Sequence, residues 1–221
     1  MNHPTLTIDP GAVAANWQAL ADRHAGEVAG VVKADAYGLG AALIAPALAA
    51  AGCRSFFVAT LDEALSLRAL LPAARIAVLN GCPPGEERTM HAHRLIPVLG
   101  SLASCMRWRE AAGDDGAPPS FLHVDTGMNR LGLDRDEAAH LIARPDRLDG
   151  LGLTHVMTHL IAAEAPDAAE NVAQQRRFAA FAAQFPWLRT SLANSSGLFL
   201  GPAFGSDLAR PGYALYGGNP T

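Results

Sequence analysis

The chain has 221 residues, of which 50% are hydrophobic and 17% charged, with a formal net charge of −4 and a mean hydropathy of +0.13. This composition fits one well-cored globular domain and excludes a disordered chain, while the acidic balance without any Lys/Arg run excludes a nucleic-acid partner. The longest apolar stretch, 41–53, is broken by Pro46 and Gly52 and is too short for a bilayer, and 1–10 lacks the basic start and apolar run of a signal peptide.

Cys53, Cys82 and Cys105 are odd in number, widely spaced and outside any metal-binding pattern, so they read as reduced thiols in a cytoplasmic domain with no metal.

In chain order the sequence predicts a first strand over Leu6–Asp9 and a helix over Gly11–His24. Eight further β-type runs follow: Ala29–Lys33, Ser55–Thr60, Arg75–Asn80, Leu95–Gly100, Phe121–Asp125, Gly150–His159, Thr190–Ser195 and Asp207–Leu215. Between them lie helical segments at Gly40–Ala51, Asp62–Leu71, Gly85–His93, Leu102–Ala112, Asp134–Ala143 and Ala168–Phe185. Asp62 and Asp134 read as helix starts, and 113–119 (GDDGAPP) as a loop within the domain. Eight strands alternating with helices predict a parallel (β/α)8 barrel, although a doubly wound open sheet alternates in the same way. The last run ends in Tyr216-Gly217-Gly218-Asn219-Pro220, where a barrel normally continues into a helix, so the architecture reads as cut short.

The first chemical signal is Lys33, at the end of a strand that is otherwise apolar. Barrel enzymes place their sites at the C-terminal ends of strands, where a lysine forms Schiff bases if its amine is held neutral. A free lysine with a pKa near 10.4 is neutral in only about one molecule in a few thousand at pH 7, so burial or a nearby cation has to lower it. Taken alone, Lys33 reads equally as a side chain snorkelling at a strand end. Tyr37-Gly38-Leu39-Gly40 favours the chemical reading, because paired glycines suit close approach of backbone to a ligand.

Val32-Lys33-Ala34-Asp35-Ala36-Tyr37-Gly38-Leu39-Gly40 resembles the pyridoxal-phosphate attachment motif of the bacterial alanine racemases. Further segments match in order: Asp62-Glu63-Ala64 with Leu67 and Arg68, 123–132 (HVDTGMNRLG), Thr158-His159-Leu160 with 164–167 (EAPD), Ala193-Asn194-Ser195-Ser196, and 209–217 (ARPGYALYG). The resemblance implies a barrel that binds pyridoxal 5'-phosphate, with Lys33 as attachment point and catalytic base. It implies that Arg130 meets the cofactor's phenolic oxygen and the substrate carboxylate, which suits a planar guanidinium. It places catalytic His159 beside the pyridine ring and Arg210 against the ring nitrogen, which an arginine leaves unprotonated. His155, four residues before His159 and one layer deeper, reads as structural.

Barrels often hold phosphate at the loops after strands seven and eight. Here those are Asn194-Ser195-Ser196-Gly197 and Arg210-Pro211-Gly212-Tyr213, with the Ser195 hydroxyl and the Gly212 and Tyr213 N–H groups as donors. Tyr37 resembles a family tyrosine that also reaches the phosphate. The resemblance further implies interconversion of L- and D-alanine for peptidoglycan, a homodimer, and a C-terminal β domain that supplies the opposite-face tyrosine base. These 221 residues lack that domain, so little activity is expected of them alone. His123 stands where many relatives carry a carbamylated lysine. A non-catalytic single-domain carrier of the cofactor, a broader amino-acid racemase and a Schiff-base aldolase are the alternatives.

Overall fold

The computed structural model describes residues 5–113 and 116–221; Asp114 and Asp115 of the expected loop, and 1–4, lie outside them. Helix α1 (Pro10–Arg23) opens the described chain, with Pro10 at its first position and the Asp9 carboxylate accepting the Ala12 N–H at 3.1 Å. The expected strand over Leu6–Asp9 is not formed. Leu6 is 71% exposed and Asp9 is spent on the cap, so the segment leads straight into the helix.

The barrel strands are β1 (Glu27–Val28), β2 (Gly30–Val31), β3 (Ser55–Val58), β4 (Arg75–Val78), β5 (Leu95–Leu99), β6 (Ser120–His123), β7 (Leu153–Met157), β8 (Arg189–Ser191) and β9 (Leu208–Ala209). From β2 to β8 each pairs in parallel with the next in sequence, and β1 pairs in parallel with β9. The ring closes through single bonds: Ala29 N–H to Ala209 O (2.9 Å), Val31 N–H to Pro211 O (3.1 Å) and Arg210 N–H to Ala193 O (2.8 Å). Thus β1 and β2 are two halves of one staggered strand, and β9 fills the seam between it and β8. The architecture is the expected α/β barrel rather than an open sheet.

Several expected strands are shorter than their apolar runs. Pro211 offers no N–H and the chain coils into a 3-10 turn at Tyr213–Tyr216, so the eighth strand is two residues and not Asp207–Leu215. Gly150 and Gly152 adopt φ of +74° and +64°, which delays the sixth run to Leu153. The remaining helices are α3 (Ala41–Ala50), α4 (Leu61–Leu70), α5 (Glu87–Ala92), α6 (Leu102–Ala112), α7 (Arg135–Ala143) and α8 (Ala169–Ala182); α2 (Lys33–Tyr37) is a single irregular turn. Asp134 caps α7 as expected, whereas α4 is capped by Thr60 and not Asp62, in a box with Glu63.

Alternation along the strands separates two cores. Phe57, Ala77, Val98, Phe121 and Met157 fill the barrel interior, while Phe56, Ile76, Val78, Leu122 and Val156 pack outward under the helices. Trp17 anchors α1 to the outside of the barrel, its indole N–H donating to Val28 O at 3.1 Å. The three cysteines are buried and unpaired, and burial pushes each thiol up to about 12. No helix among the described residues is long and apolar enough to cross a membrane.

The seam tolerates no added bulk. A methyl on Gly26 would lie 2.4 Å from Ser206 O and 2.6 Å from Asp207 O, backbone atoms at the entry to β9. Gly26→Ala is therefore expected to destabilise the chain by about 1–3 kcal/mol, as other overpacked sites do; an unchanged urea midpoint would show that the seam is slack.

Candidate active site

At the C-terminal ends of the strands lies a cavity of about 640 Å³. Lys33, Arg130 and His159 all line it. So do Tyr37, Asn194, Ser195, Arg210, Gly212 and Tyr213, which brings together the residues expected to contact cofactor or substrate.

Lys33 is the chain's sole lysine and follows β2 after one residue, Val32. After it Ala34, Asp35, Ala36 and Tyr37 take φ of +52°, +51°, +55° and +56°, a left-handed turn that completes itself at Gly38 (+87°) and Gly40 (+90°). Each non-glycine residue in that region costs about 1–2 kcal/mol, a kind of strain that concentrates at functional sites. Burial, then the Arg130 charge, lowers the Lys33 pKa, while Glu63 opposes them. The balance moves the amine toward the neutral, nucleophilic form.

Arg210 is 4% exposed, its guanidinium donating to Ser191 Oγ and to Thr158 O. Burial lowers it to about 10, so it stays a cation at neutral pH. His159 lies just beyond β7. Gln174 of α8 holds its carbonyl (2.9 Å) and accepts the Ile161 N–H (2.9 Å), fixing the loop on both sides of the ring. Burial, then Arg210 and Arg130, push the His159 pKa down to about 3, and burial with Arg210 pushes His123 to about 4. Both rings are neutral at pH 7. His155 lies off this cavity, against Phe121 (4.4 Å between centroids), in keeping with a structural role.

Arg130 is carried by a loop that Asp125 builds. Its carboxylate accepts the N–H groups of Gly127 (2.8 Å), Met128 (2.9 Å) and Asn129 (2.9 Å), and Leu133 N–H returns to His123 O at 2.8 Å. Arg130 therefore stands exposed at the rim.

The loops after β8 and β9 are joined by Ser195, whose Oγ accepts the N–H groups of Gly212 and Ala214, each at 3.1 Å. The Gly212 N–H, expected to face a ligand, is thus spent on Ser195, while the Ser195 proton is left to donate outward. Ser196 and Tyr213 open two 3-10 turns at the cavity wall, where leading N–H groups have no partner within the turn. Asn194 is a loop organiser, accepting the Gly197 N–H (2.8 Å) and donating to Leu160 O (3.3 Å). Tyr37 stacks on Tyr216 at 4.7 Å, and Tyr216 donates to Val31 O at 2.9 Å. A methyl on Gly212 would lie 2.2 Å from Tyr37 Oη, so only glycine lets these two loops meet.

Sequence reasoning missed Asn80, Met157 and Glu164 as lining residues, and Glu63 and Gln174 as supports. Glu63 and Glu164 sat inside quoted motifs without a role; nothing marks Gln174 apart from other helix polar residues. Lys33, Arg130 and Arg210 make the cavity cationic, with Glu164 as its one lining carboxylate among the described residues. Such a site favours an anionic ligand and offers a nucleophilic amine.

The histidines also set a pH dependence. Their folded pKa values lie below the free value near 6.5, so the stability they contribute is full above pH 6.5 and is lost as pH falls toward 3–4. Denaturant titrations between pH 6.5 and 4 are expected to show His159→Asn reducing the loss by up to about 1.4 kcal/mol per pH unit. Equal slopes in variant and parent would mean His159 is free to protonate.

Residues 8–220 match the family model described as "Alanine racemase, N-terminal domain". Over 221 residues the chain is 89% identical to an alanine racemase of Acidiphilium cryptum, covering 100% of this chain and 62% of that protein. It is 53% identical to one from Rhodospirillum rubrum, covering 98% of this chain and 59% of the relative. The crystal structure of alanine racemase from Bartonella henselae with covalently bound pyridoxal phosphate superposes with a TM-score of 0.93 at 43% identity, covering 96% of this chain and 63% of that one. The chain thus spans about 60% of the length of the relatives it matches. With a fold, a lysine turn and a family match that coincide over 8–220, the chain belongs to the alanine racemase N-terminal domain family.

Proposed function

We propose that these residues form the pyridoxal-phosphate-binding half of an enzyme that interconverts L-alanine and D-alanine. The observation that carries the reading is Lys33: a sole lysine, at a barrel strand end, lowered in pKa by burial and by Arg130. The 89% identity to an alanine racemase supports the substrate.

The donor set suits a phosphorylated pyridine aldehyde. Lys33 provides the amine for the aldehyde, and Arg210 a donor-only partner for the ring nitrogen. The Ser195 hydroxyl, the N–H groups of Ser196 and Tyr213, and Tyr37 Oη suit the phosphate, which carries about −1.5 to −2 charge. Bound there, pyridoxal phosphate supplies an electron sink for the carbanion left when an amino acid loses its α-proton.

The protein's own groups do the rest. Lys33 Nζ would take or return the α-proton on one face. Arg130 at the rim holds the alanine carboxylate through its planar fork. Arg210 cannot easily give up its proton, so it would leave the ring nitrogen of a bound cofactor an acceptor, which would weaken the sink and limit side reactions such as transamination. His159, neutral and beside Arg210, completes the wall next to the ring. The opposite-face base is assigned by resemblance to a tyrosine of a C-terminal β domain. In that reading the working enzyme is a cytoplasmic homodimer supplying D-alanine for peptidoglycan, and the 221 residues alone racemise slowly.

The test is to load the protein with pyridoxal phosphate, reduce with borohydride and map the modified peptide. The adduct is expected on Lys33 and absent in Lys33→Ala; a protein that takes up no reducible cofactor sinks the reading. Alanine racemisation by the 221 residues is expected to fall about 10²–10⁴-fold below a full-length relative, the usual worth of one general base. A rate equal to the relative's would overturn the division between the two halves.

A further inference from the structure

Lys33 is delivered into the cavity by backbone that its own residue types oppose. Four consecutive non-glycine residues hold a left-handed turn, and such a turn persists only where its surroundings over-determine it. Two carboxylates do so. At the exit, Asp35 Oδ1 accepts the Ala41 N–H at 2.7 Å and the Asp35 carbonyl accepts the Gly40 N–H at 2.8 Å. At the entry, Glu63 reaches across from α4: Oε1 accepts the Ala34 N–H at 2.7 Å, while Oε2 accepts Ala59 N–H at 2.7 Å and Thr60 N–H at 3.3 Å.

A capping box accounts for only the last of these bonds. The bond to Ala34 joins residues 29 apart in sequence and has no part in holding the helix. It ties the residue after the lysine to the end of the neighbouring strand, β3.

We infer that Glu63 is a positioning residue for Lys33: its carboxylate joins the ends of β2 and β3, fixes the direction in which the lysine enters the cavity, and provides the counter-charge to the ammonium form. The inference rests on Lys33 being the reactive amine of the proposed function. A carboxylate is the group the geometry demands. Three N–H donors converge on two oxygens, whereas glutamine has one acceptor oxygen and would turn its NH₂ toward another donor. Aspartate keeps the charge but is one methylene short of spanning both strand ends. Among the charges that act on Lys33, Glu63 opposes burial and Arg130. Its removal therefore makes the amine more acidic, not less.

Because Lys33 is the sole lysine, its titration is readable without any cofactor. The pH dependence of acetylation by acetic anhydride, quantified at the Lys33 peptide, gives the midpoint directly. In Glu63→Gln the midpoint is expected to fall by about 0.5–1 pH unit, at the low end of the effect of one opposite charge because the site is half open to water. Glu63→Asp should keep the midpoint within about 0.3 unit yet lose pyridoxal-phosphate affinity about tenfold, since charge survives and span does not. A helix-capping role alone would lower the melting temperature and move neither quantity.

The inference is overturned if folded Glu63→Gln titrates like the parent. It is equally overturned if Glu63→Asp, which keeps the charge and serves where Glu63→Gln fails to fold, binds pyridoxal phosphate as tightly as the parent. Absence of any Lys33 adduct in the parent would instead sink the proposed function, leaving the acetylation midpoints to decide the role of Glu63.

Discussion

A guanidinium buried in the barrel mouth without an anionic partner is the constraint around which this molecule is arranged. Among the described residues Arg210 forms no ion pair, yet it is 4% exposed. A buried charge is tolerated only where oriented dipoles replace its hydration. Ser191 Oγ, at the end of β8, and Thr158 O, beyond β7, supply them, so the two strands preceding the seam are committed to solvating this cation. The backbone of the same residue closes the barrel, donating to Ala193 O. Closure and field are thus one structural event.

That field decides the chemistry of its neighbours. His159 and His123 are held neutral by burial reinforced by Arg210, and the Lys33 pKa is lowered by burial reinforced by Arg130. Carboxylates near these cations also hold backbone. Asp125, Glu63 and Asp35 each spend their oxygens on backbone N–H groups of the loops that carry Arg130, Lys33 and the following helix. Carboxylates build the rim, and apart from Glu164 the charged groups lining the cavity are cationic or titratable bases. An anion-accepting cavity follows without any excess of basic residues, which is why the net charge of −4 carries no hint of it.

How much of this was legible in the sequence depended on whether the signal was local. The apolar runs 55–60, 75–80 and 95–100 announce strands because a barrel strand is buried on both faces, and the order of motifs announces the site. The seam was misread, since Asp207–Leu215 looks like a full strand until Pro211 and the close contact of Tyr37 with Gly212 end it. Leu6–Asp9 alternates like a strand but has no sheet edge to join. Thr60, rather than Asp62, caps α4 because the choice is made by the backbone leaving β3, not by helix preference. Glu63 was visible in its motif, but its bond to Ala34 depends on β2 and β3 being neighbours, which no local pattern states.

The two histidines of β7 and its exit show why placement outranks perturbation in recognising a functional group. His155 and His159 are four residues apart and both are depressed, to about 4 and about 3, with burial the leading cause in each. By acidity alone they are indistinguishable. At about 3.3 Å per residue they are roughly 13 Å apart along the chain, in different layers of the barrel. His155 packs on Phe121 and bonds Thr154 Oγ1 at 3.0 Å, where burial leads and the charges around it are those of Arg189, Glu27, Arg75 and Asp207. His159 lies beyond the last strand residue, with Arg210, Arg130 and Lys33 all among the charges that depress it. The same physical shift belongs to packing in one layer and to the candidate site in the next, because only around His159 are the charges those of Lys33, Arg130 and Arg210, which line the cavity with it.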